Sequence, residues 1–200
     1  MNVIHIDAIA DKSLNTFEII PKSIVSLATQ NQICMKTKSI VLDRRQIEQK
    51  TERIAFEIME NTFENPKIYV GGITGNGFFF AERLVKKLNE ISKQEVRLFE
   101  ITVSKEAPAK SSIALSIPEQ ELNGATVILV DDVINSGRTL IYAVGKLLDH
   151  EVHVLKVATL VNRTHRRYPV HADFVGLNIA TTLKDNIMVS LGEEEMAYLV

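Results

Sequence analysis

The chain has 200 residues and a mass of 22.4 kDa, room for one domain with at most a short appendage and too little for two independent cores. Hydrophobic residues make up 46% and charged residues 24%, with nine Gly and five Pro, a composition that excludes disordered, collagenous and repeat-rich classes. The 23 basic and 25 acidic residues leave a formal charge of -2, which excludes a strongly basic nucleic-acid module, so a site for a polyanion must be built locally.

Residues Met1 to Cys34 are weakly patterned, with apolar pairs at Val3-Ile4 and Ile19-Ile20 and a Pro at position 21. They read as an N-terminal extension (1–34) of a domain covering 35–200, or as a misplaced start ahead of Met35. The single cysteine, Cys34, cannot form an internal disulfide, which suits a reducing compartment, and a cytoplasmic location is expected. Asp7 and Asp11 appear before any well-formed apolar run, so a secretory signal is not expected. No apolar run approaches the roughly 18 residues of a membrane span.

From Asp43 onward, Ile47, Ile54, Ala55, Ile58 and Met59 recur at helical spacing, with Asp43 as N-cap and Gln46 completing a capping box. After Pro66, Ile68 to Val70 reads as a buried strand that empties into the loop Gly71 to Gly77. Phe79, Phe80, Leu84, Val85 and Leu88 predict a second helix, and Val96 to Val103 a second strand. Ser104 to Ser112, holding Lys105, Lys110 and Pro108, reads as a polar loop able to act as a lid. Thr126 to Val130 predicts an apolar strand, followed by Asp131-Asp132 and a helix carrying Leu140, Ala143, Val144, Leu147 and Leu148. Glu151 to Val161 is a further strand, and only short strands, such as Phe174-Val175 and Ile187 to Val189, are expected in the small cap formed by the last forty residues. Fully apolar strands alternating with helices predict an α/β domain around a mainly parallel sheet.

Ligands of such sheets bind beyond the carboxyl ends of the strands, where the amides of the following loop and helix can face an anion. Two strand ends stand out. At Val127 to Thr139 a buried strand delivers two adjacent carboxylates, and Asn135-Ser136-Gly137-Arg138-Thr139 then opens a helix. The small polar loop suits a phosphate, and the paired acids suit hydroxyls or a metal ion; a sugar phosphate meets both demands. The plainer alternative is that Asp131 and Asp132 cap the helix.

The string Val127 to Thr139 resembles the binding motif for phosphoribosyl pyrophosphate (PRPP) of type I phosphoribosyltransferases. That resemblance implies the type I phosphoribosyltransferase fold, with a C-terminal hood, and transfer of phosphoribose from PRPP to a nucleobase with release of pyrophosphate, with Mg2+ as cofactor. It implies that Asp131 and Asp132 hold the ribose hydroxyls and a metal, directly or through water, and that Asn135, Ser136, Gly137, Arg138 and Thr139 hold the 5-phosphate. Gly72, Ile73, Thr74 and Gly75 fall at the family's pyrophosphate loop. This loop is not a Walker A loop, because Phe78 stands where Lys should follow Gly77, and it lacks the basic residue usual in the family. Lys105 in the lid is then the expected contact to the leaving group.

Phe79 to Glu82 resembles the hypoxanthine-guanine phosphoribosyltransferases. Leu160 to Ile179 resembles the pyrimidine-operon regulators that double as uracil phosphoribosyltransferases, over roughly Lys36 to Glu195. This implies that Asn162 and the backbone from Ile179 to Thr181 read the base, with uracil first and hypoxanthine or guanine second. Without the resemblance, Arg163, His165, Arg166 and Arg167 could form an ordinary solvated turn. Asn135 stands where purine enzymes carry an aspartate and cannot accept a proton from the base. In the first helix the regulators turn Thr-Arg and a His toward RNA, whereas this chain has Glu52, Arg53 and Phe56, which favours catalysis over RNA attenuation. A non-catalytic regulator binding PRPP or nucleotide is the competing class. Self-association is expected from the family. His150 and His153 lack partners suited to zinc and read as surface residues.

Overall fold

The computed structural model describes residues 39–104, 112–164, 167–180, 186–192 and 194–200. The expected extension (1–34), Lys105, His165, Arg166 and Thr181 lie outside them.

Asp43 starts the first helix as its sequence requires. Its carboxylate accepts the backbone N–H of Gln46 at 2.8 Å, and the Gln46 side chain accepts the N–H of Asp43 at 3.0 Å, the reciprocal capping box. The strand β1 (Ser39–Leu42) precedes this cap and α1 (Arg44–Thr62) follows it. One face of α1 buries Ile47, Thr51, Ile54, Ala55 and Ile58, the three-and-four spacing of an amphipathic helix.

Beyond Pro66 the chain alternates as β2 (Lys67–Ile73), α2 (Asn76–Ile91), β3 (Glu95–Thr102) and the short β4 (Ala114–Leu115). After a 3-10 turn at Glu119–Leu122 come β5 (Thr126–Ile134), α3 (Arg138–Leu147), β6 (Val154–Arg163) and β7 (Phe174–Ile179). Six of these strands form one sheet in the order β4-β3-β2-β5-β6-β7, parallel except for β4. Alternation along the strands splits the core in two. Ile68, Val70, Ile128 and Val130 pack with α1 and α2 on one face, while Tyr69, Val127 and Leu129 pack with Leu140, Ala143 and Leu147 of α3 on the other. The result is a helix-covered, mainly parallel sheet, as expected from the apolar strands.

The cap is also a sheet. The strands β8 (Ile187–Ser190) and β9 (Met196–Leu199) pair antiparallel, and β1 joins β9 from the other end of the domain. The cap therefore draws on residues before the first helix as well as on the last forty. Arg83 of α2 pins it, donating to both carboxylate oxygens of Glu195 at 2.9 and 3.0 Å and to the Leu191 carbonyl at 2.9 Å.

Two local expectations are corrected. Gly71 and Gly72 are strand residues, not loop residues: a β-carbon at Gly71 would lie 2.5 Å from the Phe99 ring, and one at Gly72 would lie 2.7 Å from Phe78 Cα. The doublet exists because a ring and a helix pack directly on β2. His150 is not a surface residue: its side chain is mostly buried, with Nε2 3.1 Å from Glu119 Oε2, and Lys146 meets the same carboxylate at 2.9 Å. Among the described residues no helix is long and apolar enough to cross a membrane.

Candidate active site

The strands β2 and β5 are parallel neighbours whose following helices, α2 and α3, cover opposite faces of the sheet. A crevice opens where the chain leaves adjacent strands in opposite directions. A cavity of about 310 Å3 lies there, lined by Asp131 to Leu140, with Asn76 at one side and Ile187 to Val189 of the hood at the other.

Asp131 and Asp132 lie within β5, all of which is buried, and are only 5% and 7% exposed. Asp131 Oδ1 accepts the backbone N–H of Asp132 at 3.0 Å. The carboxylate also abuts Gly77, where a β-carbon would lie 2.9 Å from Oδ1, so it stands at the N-terminal end of α2, where the helix dipole favours an anion. The capping alternative is not what the acids do. The N-cap of α3 is Gly137, without a side-chain hydrogen bond, and both acids precede it inside the strand.

The turn that follows is fixed from behind. The Ser136 carbonyl accepts N–H groups of Arg167 at 3.1 Å and Tyr168 at 3.2 Å. Gly137 has φ +78°, a left-handed conformation open to glycine at little cost. The Ser136 hydroxyl accepts the Arg138 N–H at 3.3 Å, and Thr139 lines the same cavity. Arg138 Nε is buried with no acceptor among the described residues. A buried donor in want of an acceptor suits an anionic ligand.

The second strand end is narrower than the sequence suggests. Gly72 and Ile73 are buried in β2, and the turn itself is Thr74-Gly75, with Gly75 at φ +89°. Thr74 donates its N–H and its hydroxyl to the Ile101 carbonyl at 3.0 and 3.1 Å. Asn76, which no sequence signal singled out for the hood, donates from Nδ2 to the Val189 carbonyl at 2.6 Å and straps hood to helix across the cavity.

On β6, neighbouring residues go to different places. Asn162 is buried, donates to Asn178 Oδ1 at 2.6 Å, and lines a separate groove shared with Arg53, Glu57 and Asn61 of α1. Arg163 reaches one residue of the cavity lining: its Nη1 donates to Asn135 Oδ1 at 3.1 Å, and also to Asn186 Oδ1 at 3.3 Å. At 6% exposure it is no part of a solvated turn. The Ile179 carbonyl accepts the Thr164 N–H at 3.2 Å. On α1, Glu52 is exposed and Phe56 is 41% exposed. Arg53 is engaged with Glu57 and with the Val175 and Gly176 carbonyls.

Residues 38–193 match the phosphoribosyl transferase domain. The chain belongs to the phosphoribosyltransferase family. It is similar to the bifunctional protein PyrR of Brevibacillus brevis, 33% identical over 174 residues that span 83% of this chain and 97% of that protein. It is 36% identical to the PyrR of Streptomyces coelicolor over 78% of this chain and 84% of the relative. Among solved structures, a hypoxanthine-guanine phosphoribosyltransferase of Bacillus anthracis superposes with a TM-score of 0.65 at 24% identity, over 82% of this chain and 98% of that one. The hypoxanthine phosphoribosyltransferase of Trypanosoma cruzi gives 0.68 at 19% identity, over 80% and 95%. The expected fold, the enzyme class and the transfer of phosphoribose to a nucleobase are thereby borne out.

Proposed function

We propose that the cavity binds PRPP and that the chain transfers its phosphoribose to uracil. One observation carries this reading: the buried carboxylate pair and the loop from Asn135 to Thr139 line the same cavity. The 5-phosphate is held by the loop, through the Ser136 and Thr139 hydroxyls, the Arg138 side chain and the amides at the start of α3. Asp131 and Asp132 receive the ribose hydroxyls.

Two carboxylates beside a pyrophosphate repel it unless a cation stands between them. No group of three or more His, Cys, Asp or Glu residues suited to a metal occurs among the described residues. A carboxylate pair alone suits Mg2+, which keeps several waters and takes one or two carboxylates together with substrate phosphates. When bound, Mg2+ would neutralise charge on the departing pyrophosphate.

The C1′–O bond to pyrophosphate breaks, the bond from ring nitrogen N1 to C1′ forms, and the N1 proton passes to solvent water. Asn135 takes no proton. The turn at Thr74-Gly75 and Lys105 are the proposed contacts to the leaving group, and Ile179 to Thr181 are proposed to read the base edge; Asn162, expected beside them, lines the separate groove instead of the cavity. A role for Asn162 in reading the base would have to pass through the backbone of β6, because its side chain is engaged with Asn178 in that groove. The enzyme is proposed to act in the cytoplasm as a homo-oligomer. RNA binding is disfavoured because Arg53 already serves two backbone carbonyls and Phe56 and Glu52 stand beside it.

Hypoxanthine or guanine is the second reading, supported by the Phe79 to Glu82 resemblance. Pyrophosphate release from PRPP, measured with uracil, hypoxanthine, guanine and adenine in turn, decides the matter. Turnover with uracil alone is the expected result. PRPP binding without turnover of any base would make the chain a non-catalytic regulator.

A further inference from the structure

Arg163 is a buried cation on the strand beside β5, and two of the groups it meets are neutral amides from different parts of the fold, Asn135 in the cavity wall and Asn186 beside the hood. Asn135 lies at the tip of β5 at the head of the phosphate loop, and Asn186 immediately precedes hood strand β8. A guanidinium can only donate. The Asn135 atom facing it at 3.1 Å must therefore be the amide oxygen, and the same holds for Asn186 at 3.3 Å. The two hydrogens of Nη1 serve one oxygen each.

This fixes which way Asn135 faces. With its oxygen held on Arg163, the amide cannot turn over, and the group on its other side is Nδ2, a donor. We propose that Arg163 is a positioning residue that locks Asn135 as a hydrogen-bond donor, and that this donor selects a base presenting a carbonyl oxygen beside the ring nitrogen that takes the phosphoribose, as a 2-oxopyrimidine does. The inference rests on the proposed transfer to a nucleobase and deepens it. A free asparagine can rotate its amide and accept either a donor or an acceptor; one held by a buried guanidinium cannot. The donor also serves the chemistry, because negative charge gathers on that carbonyl as the ring nitrogen loses its proton, and a preset N–H group stabilises it. The link to Asn186 makes the hood part of the same lock.

The test is steady-state kinetics of pyrophosphate release with uracil and with hypoxanthine for the wild type, Asn135→Ala, Asn135→Asp, Arg163→Met, Arg163→Lys and the double variant Asn135→Ala with Arg163→Met. Asn135→Ala and Arg163→Met should each raise KM for the base about tenfold, the size of one hydrogen bond, with a smaller rise in KM for PRPP because Asn135 heads the loop proposed to hold the 5-phosphate. The double variant should be no worse than either single one, and Arg163→Lys should recover part of the loss. Asn135→Asp keeps an acceptor for Arg163, and therefore the fold, but offers the base no N–H; its base KM should rise as in Asn135→Ala. This variant decides the matter even where Arg163→Met does not fold. A base KM for Asn135→Asp equal to that of the wild type, or additive losses in the double variant, would overturn the lock while leaving the proposed reaction standing. A wild type that binds PRPP and turns over no base would overturn both.

Discussion

Gly77, in the first turn of α2, packs directly on the carboxylate of Asp131: a β-carbon there would lie 2.9 Å from Oδ1, 3.3 Å from Asp131 Cα and 3.3 Å from the Ile73 side chain. Two of these three contacts are too rigid to yield easily, so the carboxylate must turn or the helix must shift. Alanine is the better helix former by about 1 kcal/mol, which offsets part of the strain. Gly77→Ala should therefore leave the melting temperature within a few degrees of wild type and still lower kcat/KM by about 10- to 100-fold, because a displacement near 1 Å at a reacting centre costs about that much. Unchanged kcat/KM would mean that Asp131 tolerates displacement and has no exacting role.

Asp131 and Asp132 are buried like charges in one strand, and no helix depends on them for its cap. Replacing both with Asn keeps their size and retains an acceptor at position 131 for the Asp132 N–H. The double variant should fold with wild-type circular dichroism while losing at least about 1000-fold in kcat, the scale of removing preset charge from a reacting site. Activity within tenfold of wild type would show that the ribose is held elsewhere.

Much of this architecture was legible in the sequence because its signals are local. The capping box at Asp43 and Gln46, the apolar spacing of α1 and α3, and the β-branched run of β5 each lie within one segment. What escaped is long-range. β1 and β9 are four-residue strands with weak patterning of their own, and they exist because the two ends of the domain meet in the hood. Gly71 and Gly72 resemble a loop until Phe99 and α2 are seen to occupy the space their side chains would need. Arg163 sits among polar residues and resembles a solvated turn, yet it ends a buried strand and finds its partners at positions 135 and 186. Nothing local marks Asn76, yet its side-chain amide holds the hood through the Val189 carbonyl.

Gly137 has φ +78°, and a β-carbon there would lie 3.6 Å from Tyr168. There is room for a methyl group, so the objection to alanine is conformational, about 1–2 kcal/mol for a left-handed residue with a β-carbon. The loop can relieve that strain by moving the amides proposed to meet the 5-phosphate. Gly137→Ala should raise the Kd for PRPP about tenfold in a direct titration without base, with a smaller effect on KM for the base. A rise confined to the base would place the sugar phosphate elsewhere.

The hood is tied to α2 by Arg83 and Glu195, a two-pronged pair at 2.9 and 3.0 Å, with Arg44 Nε a further 3.8 Å from the same carboxylate. The Arg83 hydrogen bonds, reinforced by its charge and that of Arg44 against an opposing effect of burial, hold the Glu195 carboxyl below its ordinary value of 4.5. A carboxyl whose folded value is lowered stabilises the fold fully above its unfolded value, and that contribution is lost as pH falls through the lowered one. At pH 7, Glu195→Gln should cost about 1–2 kcal/mol, since hydrogen bonds to a charged group are the stronger kind and one acceptor survives in glutamine. Below about pH 4.5 the wild type should lose stability faster than the variant, so that their urea midpoints converge. A difference that stays constant from pH 7 to pH 3 would show that Glu195 holds the hood by shape and not by charge.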